Sequence, residues 1–152
     1  MNYSPAPTAT AQGTSLRGWQ RAVLAIAGAG LVALLATAAC LTPNSRGFGT
    51  HRQLGLPPCT IVQWYGVRCP SCGMTTSWAH MTRGQVASAV QANAGGALLA
   101  VVAACIGPWM LASGLAGRWL GSPPRESVTI AVGLAVIVAT LVDWGVRLGL
   151  GG

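Results

Sequence analysis

Two cysteines stand three apart in Cys69-Pro70-Ser71-Cys72-Gly73, and a third, Cys59, lies ten residues upstream. Thiols at this spacing support three kinds of chemistry. The first is metal binding. A Cys-x-x-Cys turn presents two thiolates to one zinc ion, and the glycine behind it permits the left-handed backbone that such a turn needs. Cys59 then supplies a third ligand and His80 a fourth, with His51 in the preceding loop as the alternative fourth ligand. Distance weighs against His80. If Thr75 caps a helix through Met81, the imidazole sits roughly 8–10 Å along that axis, whereas zinc bonds are about 2.0–2.3 Å, so the helix must break or bend back.

The second chemistry is redox. A Cys-Pro-x-Cys pair at a helix start lowers a thiol's pKa through the helix dipole. Cys69 is then the nucleophile, Cys72 its partner and Cys59 a resolving thiol. No strand–helix alternation of the thioredoxin kind surrounds the pair. The third is a structural disulfide from Cys59 to Cys69 or Cys72, which requires an oxidising compartment. Zinc is the cofactor that the ligand types suggest, and nothing in the sequence names another.

The elements that carry these thiols are apolar. Of 152 residues 52% are hydrophobic and 7% charged, against roughly 25% charged in a soluble domain. Lipid is the better solvent for such a chain. All nine basic residues are arginine, and Glu126 and Asp143 are the only acids. The net charge of +7 does not point to nucleic acid, because no basic patch with interleaved aromatics exists. Scattered arginines beside apolar runs suit lipid headgroups instead.

Residues 1–16 are small, polar and proline-containing, and read as a disordered tail. Ala22 to Leu41 is an uninterrupted apolar run of 20 residues, spanning about 30 Å as a helix, the thickness of a hydrocarbon core. Residues 42–68 hold Pro43, Gly47, Gly49, Gly55, Pro57 and Pro58 and read as a loop, with Trp64 and Tyr65 suited to the water–lipid interface. Gly84 to Gly117 is free of charge but too long for one span. Gln85, Ser88, Gln91 and Asn93 divide it into a short interfacial helix over 85–92 and a second membrane helix over about 94–116, with a kink expected at Gly107-Pro108. Ser122-Pro123 serves as the N-cap pair for a third membrane helix over about 127–148. Rows of alanine four apart, at 25, 29 and 33, at 100 and 104, and at 131, 135 and 139, predict close helix approach.

Orientation is not encoded. With the N-terminus inside, Arg17, Arg21, Arg118 and Arg125 are cytoplasmic, against Arg46, Arg52, Arg68, Arg83 and Arg147 outside, which is no bias.

Pro58-Cys59, the run from Cys69 to Thr76, Arg83-Gly84-Gln85, Ala89 and Asn93 together resemble a family of small bacterial membrane proteins catalogued as domain of unknown function 2752. The resemblance covers about residues 55–115. Family members often carry Arg at the place of Thr76 and Pro after the Asn, where this chain has Ala94, so neither Thr76 nor Asn93 inherits a shared role. The resemblance implies an α-helical membrane protein with a cysteine turn, in the bacterial cytoplasmic membrane, and no established reaction.

The expected fold is an all-α membrane protein: three transmembrane helices, a short interfacial helix and a cysteine-containing loop, in one domain over residues 17–152. The leading functional expectation is an accessory or scaffold protein whose thiol cluster fixes the loop through a metal or a disulfide. Its partners are the lipid bilayer and either another membrane protein or a second copy of the chain. Two alternatives stand beside it. One is a membrane thiol–disulfide oxidoreductase using Cys69 and Cys72. The other is a small transporter or channel built on Asp143, the one acid inside an apolar segment; against that, Arg147 four residues on would pair with it at a helix end.

Overall fold

An apolar run bounded by arginine opens the architecture. Gln20 Oε1 accepts the Arg17 backbone N–H at 3.0 Å and closes the first turn of helix α1, Gly18–Cys40. The helix ends where Leu41 turns extended, two residues before Pro43. The computed structural model describes residues 15–149, and among them it is all helical. The tail reading for residues 1–14 lies outside the described residues. Ser15 and Leu16 are described, and they pair with Gly117 and Arg118, Leu16 donating its N–H to Gly117 O at 3.0 Å.

Two short helices occupy the segment read as a loop: a 3-10 turn, Thr50–Leu54, and α2, Thr60–Tyr65. Their ends are set by Gly49, Gly55 and Gly66, all at positive φ. Then come α3, Met74–Met81, α4, Val86–Ala92, and the two long helices α5, Ala94–Ala116, and α6, Glu126–Gly149. Helix α6 begins later than Ser122-Pro123 suggests. Pro124 forces Pro123 out of the helical region, so the first turn forms only beyond the second proline, on Arg125 O.

Helices α1, α5 and α6 have mean hydropathies of 2.3, 2.0 and 2.0 and are each long and apolar enough to cross a membrane. Helices α1 and α5 run antiparallel in tight contact. Glycines make the closest approaches, with Ala25 of the first alanine row opposite one of them. A Cβ on Gly28 would strike the Leu111 and Gly107 backbone, and one on Gly114 would come within 2.5 Å of Ala25 N. Ala29 and Ala33 are exposed instead. Arg21 crosses this seam, donating from Nε to Gly114 O at 3.0 Å, which also accepts Gly117 N, and from Nη2 to Leu115 O at 3.1 Å, so that it binds two carbonyls in the last turn of α5.

Helix α6 packs along α5 and does not touch α1. It contributes no buried residue and turns Ile130, Leu134, Ile137 and Leu141 outward, the surface a lipid-facing helix presents. The three long helices therefore form a row centred on α5 rather than a closed bundle.

Helices α3 and α4 cap the end where α1 stops and α5 starts. Trp78 enters the core with Ala38, Ala100 and Ala103, packed round by Leu31, Leu35 and Met81. Arg83 ties this cap down, donating to Ala79 O at 2.7 Å and to Ala39 O at 3.1 Å. Helix α2 touches no other helix, and its Trp64 and Tyr65 are 76% and 72% exposed.

The glycine seam yields a direct expectation. Gly28→Val must push α1 off α5 and should destabilise the protein by about 1–3 kcal/mol, read as a lower unfolding midpoint in detergent. Gly30→Ala, where a Cβ meets nothing within 4 Å, should leave the midpoint unchanged or raise it.

Candidate functional site

The cysteine turn is built from its backbone outward. Cys72 N donates to Cys69 O at 3.0 Å, closing a four-residue turn with Pro70 at the second position, where its fixed φ belongs. Gly73 follows at φ 91°, and a side chain there would meet the Ala92 backbone and come within 2.7 Å of Gly47 O. Only glycine serves this position, for conformation and for space. Met74 then begins α3.

Three elements hold the turn. Asn93, fully buried at the junction of α4 and α5, donates its amide to Pro70 O at 3.0 Å and to Cys72 O at 3.2 Å. Its Oδ1 accepts Gly96 N at 2.6 Å, which caps α5. Its own carbonyl accepts Ser77 Oγ at 3.0 Å. From the far side, α6 contributes its last turns: Trp144 Nε1 donates to Arg68 O at 2.7 Å and Arg147 to Cys72 O at 3.5 Å. Asp143 binds Arg147 and accepts Ala94 N at 3.3 Å. From the loop side, Thr50 and Thr76, both fully buried, share a hydroxyl hydrogen bond of 2.7 Å.

Cys59 reaches the turn from another segment, as the residue that precedes α2. The sulfurs of Cys59, Cys69 and Cys72 all lie within 4.8 Å of one another, and Cys69 and Cys72 are in hydrogen-bond contact at 3.0 Å. Thiolates around one tetrahedral zinc are spaced about 3.8 Å apart, as bonds of about 2.3 Å require. The set can therefore hold a metal ion with small side-chain adjustments. Cys59 and Cys69 are half-buried and Cys72 is buried. They line a cavity of about 340 Å³, together with His51, Arg46 and Arg52.

The thiols are not equivalent. The backbone N–H of Val62 beside Cys59 holds its thiol below the ordinary value, against the opposing effect of burial. Burial, with hydrogen bonding to Cys69 behind it, pushes Cys72 up to about 12.

The two histidines part company. His51 lies on the wall of the thiol cavity, its Nε2 on Pro57 O at 3.2 Å. His80, near the end of α3, is outside the sulfur group. Its Nδ1 bonds Gln85 Oε1 at 2.6 Å and its ring lines a different cavity. Helix α3 runs unbroken through His80, so the bend that would bring this imidazole to the sulfurs is not made. Asn93, Thr50, Thr76 and Trp144 carry no role at the site in the sequence reading, which uses Asn93 only to divide the apolar run. Asn93 had a readable signal, an N-cap residue directly before a long apolar run. The threonines and Trp144 meet the turn through contacts distant in the chain, which no local pattern encodes.

The inequality of the thiols predicts an order of labelling. The thiolate is the reactive form, so a lower pKa gives more of it at a given pH. In reduced, metal-free protein Cys59 should be alkylated first, with its rate rising through neutral pH, while Cys72 stays protected to about pH 9 or beyond. Mass mapping of maleimide adducts across pH checks this. Asp143→Asn should loosen the turn from the α6 side and speed Cys72 labelling without abolishing folding.

No curated protein and no solved structure matches the chain. Residues 59–107, from the first thiol of the cluster into the middle of α5, match the model of the family described as Protein of unknown function (DUF2752), the family that the cysteine turn resembles.

Proposed function

We propose that this protein is a non-enzymatic accessory or scaffold protein of the bacterial cytoplasmic membrane, in which Cys59, Cys69 and Cys72 hold one zinc ion as thiolates. The observation that carries the reading is the convergence of three sulfurs, from two chain segments, within 4.8 Å. A disulfide uses two sulfurs and leaves the third without a role, whereas one metal ion uses all three. His51 lines the same cavity without joining the sulfur group, and it is our candidate for the fourth ligand. Its Nε2 rests on a backbone carbonyl, the outer contact that ligating histidines commonly make.

The metal has a structural task here. Helix α2 touches no other helix, so the segment between Leu54 and Arg68 meets the rest of the molecule through Cys59, the His51 bond to Pro57 O and the chain at its two ends. A zinc ion would pin that arm against the turn and present Trp64 and Tyr65 to the bilayer surface or to a membrane-protein partner, a second copy of the chain included. The transporter alternative loses support because Asp143 is occupied by Arg147 and Ala94 N.

One observation favours a second reading. Cys69 and Cys72 at 3.0 Å, directly before α3, are disposed as a dithiol pair, with Cys59 within reach as resolving thiol. Metal analysis with thiol counting on detergent-purified protein separates the two. The scaffold reading expects one zinc per chain, three thiols protected from alkylation, and a Cys72→Ser variant that loses both zinc and folded yield. Chelation should also speed tryptic cleavage after Arg52 and Arg68, the two arginines that bracket the arm. Metal-free protein with two thiols that cycle with a quinone or carrier, and a Cys72→Ser variant of normal abundance, would instead establish the oxidoreductase.

A further inference from the structure

Charge does not balance at the cysteine end of the molecule. The chain has two acids. Asp143 is taken by Arg147, and Glu126 lies in the first turn of α6, at the opposite end. Among the described residues, Arg46, Arg52, Arg68 and Arg83 therefore share an end of the molecule with no acidic side chain left to pair with. Arg83 is spent on the carbonyls of Ala39 and Ala79, and Arg52 faces the thiol cavity. Arg46 and Arg68 line a second cavity of about 340 Å³, walled by His80, Ser88, Gln91 and Asn44.

Arg68 is held in place there. Its guanidinium lies 4.4 Å over the Phe48 ring and donates one bond to Arg46 O at 3.1 Å. A guanidinium has five N–H donors in a rigid fork, so most of them remain for a ligand. The His80 bond to Gln85 engages Nδ1 and leaves Nε2. Ser88 and Gln91 are three apart on α4 and share a face. A cavity with two guanidiniums, an imidazole, a hydroxyl and amides, and no acid, complements a tetrahedral oxyanion. It lies at the end of the molecule where α1 stops and α5 starts, which is the headgroup side if those helices span a bilayer.

We propose that this cavity binds the phosphate of an anionic ligand, clasped between Arg46 and Arg68 and completed by His80, Ser88 and Gln91. The phosphate can come from a lipid headgroup or from a soluble phosphate, and the recognition chemistry is the same. Arg46 borders both this cavity and that of the thiols, but none of the five residues is a cysteine of the cluster.

Native mass spectrometry of the protein in neutral detergent tests it with three probes: phosphatidylglycerol, diacylglycerol, which has the tails without the phosphate, and inorganic phosphate. One phosphatidylglycerol should be retained per chain in preference to diacylglycerol. Arg46→Gln and Arg68→Gln should each weaken retention about tenfold, the worth of one charge-assisted hydrogen bond. Arg125→Gln, an equal charge loss at the other end, should not. Tight phosphatidylglycerol with weak inorganic phosphate assigns the site to lipid, and comparable retention of both assigns it to soluble phosphate. Among the described residues the Arg46 side chain makes no hydrogen bond, so its variant decides the matter should Arg68→Gln fail to fold. Retention of diacylglycerol equal to that of phosphatidylglycerol, or an Arg125→Gln effect as large as that of Arg46→Gln, overturns the proposal.

Discussion

The site depends on one buried amide. Asn93 has no exposed surface and every polar group it owns is engaged: two donors on the carbonyls of the cysteine turn, an acceptor on the first turn of α5, its backbone carbonyl on Ser77. A turn that has left regular structure must place its carbonyls somewhere, and in a cap pressed against apolar helices water is not available to take them. Asparagine suits the position because it offers donors and an acceptor on one short side chain. Aspartate would offer no donor to Pro70 O or Cys72 O, and leucine neither donor nor acceptor. The bond to Gly96 and the bonds to the turn are made by the same side chain, so the start of a membrane helix and the placement of two thiols are a single event.

The third long helix makes sense in the same terms. Most of α6 faces outward and needs nothing from the protein, since lipid solvates its side chains and its backbone bonds are internal. Its only polar commitments come in its last turns, where Asp143, Trp144 and Arg147 reach α5 and the cysteine turn. Thr140 against Gly95 brings the two helices close enough for those contacts. The ion pair that the sequence offered either as a transport site or as a helix-ending pair is a bracket. Each charge satisfies the other and also a backbone group left open by a neighbouring element, which is how charges persist near lipid.

Much of the fold could be read from residue order, because each long helix is an apolar run with polar punctuation. The division at Asn93 followed from the polar cluster just before it, and the start of α5 at Ala94 obeys it. The glycine seam was less legible. Gly28, Gly107 and Gly114 are scattered among many glycines, and only the pairing of α1 with α5 distinguishes them from Gly30, which meets nothing. Of the alanine rows, Ala25 and Ala100 do meet neighbours while Ala29, Ala33, Ala104, Ala131 and Ala135 face outward, because period alone does not say which face has a neighbour. At the site, Cys59, Cys69 and Cys72 were found by type and spacing. The histidine question needed coordinates, since the path of the loop between Cys40 and Cys59 sets where His51 lies.

The cluster also resolves a tension between burial and reactivity. A thiolate buried without a partner is costly, and Cys72 responds by keeping its proton, up to about pH 12. Neutral thiols pack like small apolar side chains, so the turn can fold with the Cys72 proton in place. Under the metal reading proposed above, an ion would displace that proton at a residue whose backbone Asn93 already fixes. Cys59, whose thiol is held below the ordinary value, would be the readier ligand, and it precedes a helix that touches no other helix. Binding both would close the arm onto the turn.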